Sequence, residues 1–122
     1  GEIGSIPYLD RDYEYYCSSR FFVGRGTTGK EAYERAAAGD PEALALWREF
    51  GGHVGQLVML VLYTYDPEAI VFGGSIAHAF GFFREAMYEQ LKRFPYAKTV
   101  EGLHICCSNI DHVGLLGASA CE

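Results

Sequence analysis

Two glycines and a serine directly follow a short apolar run in Ala69-Ile70-Val71-Phe72-Gly73-Gly74-Ser75. Four apolar residues bounded by chain breakers predict a buried strand. Glycines at the carboxyl end of such a strand let a ligand approach the backbone with no Cβ in the way. In open α/β sheets, ligands lie beyond the carboxyl ends of the strands. Gly73, Gly74 and Ser75 are therefore the first candidates for ligand contact.

A second glycine cluster, Gly24-Arg25-Gly26-Thr27-Thr28-Gly29-Lys30-Glu31, fits both G-x-G-x-x-G and G-x-x-x-x-G-K. A phosphate loop needs Ser or Thr after its Lys to hold magnesium, and Glu31 stands there instead. A carboxylate at that place repels phosphate. The dinucleotide fingerprint requires a second strand after its helix, but a longer helix follows here. The cluster is read as a loop in which Thr27 or Thr28 caps a helix. His104 and Cys106 would share one strand face, with His112 nearby, an arrangement compatible with zinc. No set of four ligands completes it, so incidental polar atoms on a buried strand are the simpler reading. Glu2, Asp10, Asp12 and Glu14 make the first segment acidic, either to bind sugar hydroxyls or to solvate a loop. Tyr8, Tyr13, Tyr15 and Tyr16 suit a sugar or base pocket and equally an interface. His53 and His78 are read as ordinary helix or loop residues, and the order of residues supports no Ser-His-Asp arrangement.

The elements that must position these groups follow from caps and breakers. Residues 1–26 predict loops and short extended pieces. A helix follows through Lys30–Ala38 and ends at Gly39. Asp40 caps a second helix with Pro41 in its first turn. Its apolar stripe runs from Leu44 through Trp47, Phe50 and Val54, and broadens until the helix is apolar all round near Tyr65. Pro67 disfavours helix at Asp66 and ends it. After the strand at 69–72, Phe83, Met87 and Leu91 mark an amphipathic helix over 80–94, closed by Pro95. Leu103–Cys107 predicts a second strand and Val113–Cys121 a helix rich in small residues. Strands alternating with helices predict an α/β fold with parallel pairing.

With 122 residues, 49% of them hydrophobic, the chain can build one core. A net charge of −6 without a basic cluster argues against direct nucleic-acid contact by this segment. No apolar run is long enough to span a membrane and no secretory signal opens the chain. Cys17, Cys106, Cys107 and Cys121 form no C-x-x-C pair, which predicts reduced, buried thiols and a cytoplasmic protein. Starting at Gly1 rather than Met suggests a fragment of a larger protein.

Taken together, Gly1-Glu2-Ile3-Gly4, Gly39-Asp40-Pro41-Glu42-Ala43, Asp66-Pro67-Glu68-Ala69-Ile70-Val71-Phe72-Gly73-Gly74 and Gly114-Leu115-Leu116-Gly117-Ala118 resemble the carboxyl-terminal lobe of the ROK family of repressors, open reading frames and sugar kinases. The resemblance implies a ribonuclease-H-like, actin-like ATPase fold with ATP and sugar held between two lobes. It implies that Gly73, Gly74 and Ser75 lie against the adenosine half of ATP, and that Glu2 contacts the sugar. Three departures stand out. The family's Glu-x-Gly-His sugar motif reads Glu2-Ile3-Gly4-Ser5 here. Of the cysteines expected in the zinc segment that follows, Cys17 alone has a counterpart, so the structural zinc is expected to be lost, with aromatic packing in its place. The family's second sugar carboxylate has no counterpart either. The amino-terminal lobe, which in the family carries the phosphate-binding segment and the catalytic Asp, is missing, so this chain alone is expected to be inactive as a kinase. ATP with magnesium, a sugar substrate or effector, the missing lobe and a second copy in a homodimer are the implied partners. Three functions compete: half of a sugar kinase, a sugar-sensing module of a repressor, and a noncatalytic dimerisation lobe.

Overall fold

The computed structural model describes residues 3–107. A short 3-10 turn at Ile3–Ser5 leads into an antiparallel hairpin of β1 (Pro7–Tyr8) and β2 (Arg11–Asp12). Two four-residue helices follow, α1 (Tyr13–Tyr16) and α2 (Arg20–Val23). Asp12 starts α1 by accepting the Tyr15 N–H at 2.9 Å.

The two longest early helices begin and end where their capping residues require. For α3 (Gly29–Ala37), Thr28 Oγ1 accepts the Glu31 N–H at 3.0 Å. Gly39 then takes φ +88°, the left-handed region that favours glycine after a helix. For α4 (Pro41–Tyr65), Asp40 accepts the Glu42 N–H at 3.0 Å, and Pro41 occupies a first-turn position where its missing N–H costs nothing. Asp66 ends α4 in the left-handed region at φ +47°, its N–H returning to the Leu62 carbonyl.

Chain order continues with β3 (Ala69–Phe72), α5 (Gly74–His78), α6 (Phe80–Leu91), α7 (Ala97–Glu101) and β4 (His104–Cys107). β3 and β4 pair in parallel, Ala69 opposite His104 and Phe72 opposite Cys107. The parallel α/β arrangement expected from the sequence is therefore present. The expectation of a buried strand is corrected: β3 is half-buried and alternating, because Ile70 and Phe72 pack on the core while Ala69 and Val71 are exposed. The carboxyl end of α4 differs similarly. Val58 and Leu62 are buried, whereas Tyr63 and Tyr65 are exposed. The predicted helix over 80–94 is interrupted earlier, α6 ending at Leu91. The helix predicted at 113–121 lies outside the described residues.

The core is an aromatic stack at the centre of α4. Trp47 and Phe50 pack against Phe22 of α2 on one side and Phe83 of α6 on the other, with ring centroids 4.4 Å apart for Phe22–Trp47 and 5.3 Å for Phe50–Phe83. Burying each such side chain contributes about 1.5–3 kcal/mol. Phe83, Met87 and Leu91, the spaced apolar residues of α6, are all buried. α4 and α6 approach through Gly51 and Gly55. A Cβ on Gly55 would meet Gln90 Cβ at 2.5 Å and the Met87 carbonyl at 2.9 Å. The absence of those side chains permits the contact.

Cys17 and Cys107 are free, but Cys106 is disulfide-bonded. The expectation of reduced thiols fails at Cys106. It rested on the absence of short Cys spacings, and a disulfide needs proximity in space rather than in sequence.

Candidate functional site

β3 points its carboxyl end at the glycine pair. Gly73 is extended, at φ −120° and ψ −177°, and opens α5 without a side-chain cap. Gly74 adopts φ +71°, a conformation that L side chains rarely take, and nothing lies within 4 Å of where its Cβ would stand. The backbone here is bare and faces open space. Ser75 follows within α5, but its side chain lies outside what is described, as does Glu2.

Beside α5 opens a mainly apolar cavity of about 300 Å³, at the lower end of the range for small-molecule sites. Ile76 and His78 of α5 form one wall. Gly29, Lys30 and Tyr33 of α3 form another, and Phe22 and Trp47 close it from the core side. Trp47 is only 2% exposed, and its indole nitrogen is shut off from solvent with no hydrogen-bond partner among the described residues. Leaving such a donor unpaired costs about 1–3 kcal/mol.

The glycine cluster at 24–31 therefore has two roles. Thr28 caps α3, as the loop reading expects, and Thr27 donates to Glu31 Oε1 at 2.9 Å. Its last residues, Gly29 and Lys30, also line the cavity. Sequence reasoning missed this second role, along with Trp47, Tyr33, Ile76 and His78. Trp47 falls on the apolar stripe of α4, where a core residue and a cavity wall carry the same signal.

The tyrosines of the first segment gather around His53 of α4. Tyr8 stacks on Tyr13 with centroids 4.3 Å apart, and Tyr16 lies 4.8 Å from the His53 ring. Tyr8 Oη and His53 Nδ1 are hydrogen-bonded at 2.9 Å, and Cys17 Sγ donates to the His53 carbonyl at 3.4 Å. Aromatic packing thus occupies the segment around Cys17. Among the described residues, no group of three His, Cys, Asp or Glu side chains is placed to hold a metal. His104 is exposed while Cys106 is buried in the same strand.

Burial lowers the His53 imidazole below its ordinary value, against the opposing influence of Glu49 at 3.4 Å. Glu49 itself is held low, first by its hydrogen bonds from Arg25. Tyr8 is pushed up to about 12, mainly by burial and then by Cys17 and its tyrosine neighbours. Beyond His53, between α4 and α6, runs an open groove of about 540 Å³ lined by Arg48, Gln56, Glu85 and Arg93 among others. Gln56 donates to Gln90 across it at 2.6 Å.

The described elements form a mixed α/β unit with a half-open, mainly apolar cavity beside α5. The family model described as "ROK family" matches residues 9–121, and the chain belongs to the ROK family. The fold is that of two solved structures. One is a ROK family transcriptional regulator described as a homolog of E. coli MLC protein, at TM-score 0.78 and 19% identity over 99% of this chain. The other is a putative sugar kinase from Cytophaga hutchinsonii, at TM-score 0.76 and 20% identity over 98% of this chain. The chain spans 38% and 46% of the lengths of those two proteins. No curated protein matches it. Among the described residues, no helix is long and apolar enough to cross a membrane.

Proposed function

We propose that this chain is the carboxyl-terminal lobe of a ROK sugar kinase and holds the adenosine end of ATP. The observation that carries the reading is the cavity walled by Ile76 and His78 of α5, the helix that directly follows β3 and opens at the bare backbone of Gly74. Its apolar walls suit a flat base, and Lys30 at the start of α3 supplies a positive charge for the polar part of the ligand. Gly73 and Gly74 then admit the ribose and phosphates to the backbone. The phosphoryl chemistry, with its magnesium and general base, would fall to the family's amino-terminal lobe. By the family resemblance Glu2 would contact the sugar, and the intact protein would pair through this lobe.

A second reading has its own support. Ser5 stands at the place of the His of the family's sugar motif, and the tyrosines pack on His53 in the stretch where the resemblance implies a zinc segment. Both departures favour a sugar-sensing, dimerising module of a ROK repressor. Calorimetry on the full-length protein, with ATP analogues and a panel of sugars, separates the two. ATP binding that is weakened by Gly74→Val supports the kinase reading. Sugar binding without ATP binding supports the repressor module. The 122-residue chain alone is expected to show no ATP-dependent sugar phosphorylation in a coupled assay.

A further inference from the structure

Arg48 and Arg93 differ from every other arginine of the chain. Arg20, Arg25 and Arg35 are held by carboxylates, and Arg11 and Arg84 lie over aromatic rings. Arg48 and Arg93 make no ion pair, hydrogen bond or ring contact among the described residues, and both line the open groove between α4 and α6. We propose that this groove is a second ligand site, taking an elongated, hydroxylated ligand whose anionic ends rest on Arg48 and Arg93. It shares no lining residue with the cavity beside α5, so it stands or falls apart from the nucleotide reading.

The helices set the two arginines apart. α4 and α6 run in the same direction, Gly51 facing Phe83 and Gly55 facing Gln90. Arg48 therefore flanks one end of the groove. Arg93 flanks the other, one turn past Gln90, whose side chain bonds Gln56. Arg48 and Gln56 lie about 12 Å apart along the α4 axis, at 1.5 Å per residue. One small anion cannot reach both ends, whereas an extended ligand charged at each end can. The floor between them is open. Gly51 and Gly55 lack side chains because α6 comes too close for a Cβ. Gly52 has no such reason, since its Cβ would meet nothing nearer than Gln90 at 3.9 Å. Glycine is less favourable than alanine inside a helix. Here, midway between Arg48 and Gln56 on the same helix face, it leaves room for the body of a ligand. Of the carboxylates in the lining, Glu49 is paired with Arg25 and Glu89 with Lys92. Glu85 has no partner among the described residues and is the acceptor for the ligand's hydroxyls. The volume of about 540 Å³ lies within the range of small-molecule sites.

The test removes charge from the ligand and from the groove in turn. Fructose 1,6-bisphosphate and galactarate carry an anionic group at each end, as phosphate ester and as carboxylate. Each is titrated by calorimetry into the full-length protein beside its counterpart with one anionic group, fructose 6-phosphate or gluconate. At least one of the two should bind about tenfold or more tightly than its counterpart, the effect of one charged hydrogen bond. Arg48→Gln and Arg93→Gln change exposed side chains and should each remove that advantage. Gly52→Leu fills the floor and should abolish binding, with thermal melts checking that it folds. Binding of the bisphosphate alone identifies the ligand as a phosphate ester, and binding of galactarate alone as a carboxylate. Neither compound binding the wild type overturns the proposal. So does an advantage that either arginine variant leaves unchanged. Should Gly52→Leu not fold, the two arginine variants decide.

Discussion

Gly51 of α4 touches Phe83 of α6 backbone to backbone: a Cβ at Gly51 would fall nearer to the Phe83 carbonyl oxygen than the 3.0 Å that real Cβ atoms respect. Ala86 Cβ would stand at 3.0 Å from it as well. Gly51→Ala and Gly55→Ala must therefore push two helices apart and are expected to cost about 1–3 kcal/mol each, as overpacked sites do. Gly52, one position away, has only Gln90 side-chain atoms at 3.9 Å or beyond. Gly52→Ala should stabilise α4 by about 0.5–1 kcal/mol through helix propensity. Urea denaturation of the three variants measures both signs on one helix.

At the start of α3 the cap is a single hydroxyl. Thr28→Ala should destabilise by about 1 kcal/mol, while Thr28→Ser retains the acceptor and most of the stability. Gly39→Ala tests the other end. With φ at +88° and open space around it, its cost of about 1 kcal/mol or more comes from backbone strain without any clash. Thermal melts of the three variants give the comparison.

These caps are also why so much of the helical frame was legible. Thr28, Gly39, Asp40, Pro41 and Pro67 act through their own backbone neighbours, so their effect can be read with no knowledge of the fold. β3 was legible for the same reason, being a short apolar run between breakers. Trp47 and Gly51 were not. What they do depends on what faces them, and the sequence of α4 does not say that Phe83 or a cavity lies opposite. The short extended pieces expected in residues 1–26 are present as β1 and β2, but α1, α2, α5 and α7 were missed because each is too short to show a period.

His53 makes folding sensitive to acid. Burial holds its imidazole below the ordinary 6.5, so the unfolded chain takes up the proton more readily than the folded one. Its contribution is complete above pH 6.5 and is lost as pH falls below that value. The groups facing it are Tyr8, Tyr16 and Cys17 from the first segment, and Glu49 and Arg25. Glu49, held low by Arg25, adds a further loss at lower pH, below its own ordinary 4.5. In melts between pH 8 and pH 3, His53→Gln should flatten the upper part of the decline and leave the lower part. Equal slopes in both proteins would contradict this account.

Cys17 should be a poor nucleophile. Burial pushes its thiol up to about 12, and its Sγ is engaged with the His53 carbonyl. Only the thiolate reacts, so alkylation of Cys17 by iodoacetamide at pH 8 should be very slow in the native protein and rapid in urea. Mass spectrometry of the peptide carrying Cys17 reads the difference directly.

α4 is about 37 Å long, taking 1.5 Å for each of its 25 residues. Along that length it carries Trp47 to the cavity, Gly51 and Gly55 to α6, His53 to the tyrosine cluster, and Asp66 to the turn before β3. The chain consequently has no seam between residues 41 and 65. A cut, an inserted domain or a new pair of termini placed there would break the helix that all these regions share, whereas the exposed connection around Gly39 lies outside any helix. Anyone dissecting this protein into smaller folding pieces must keep α4 whole.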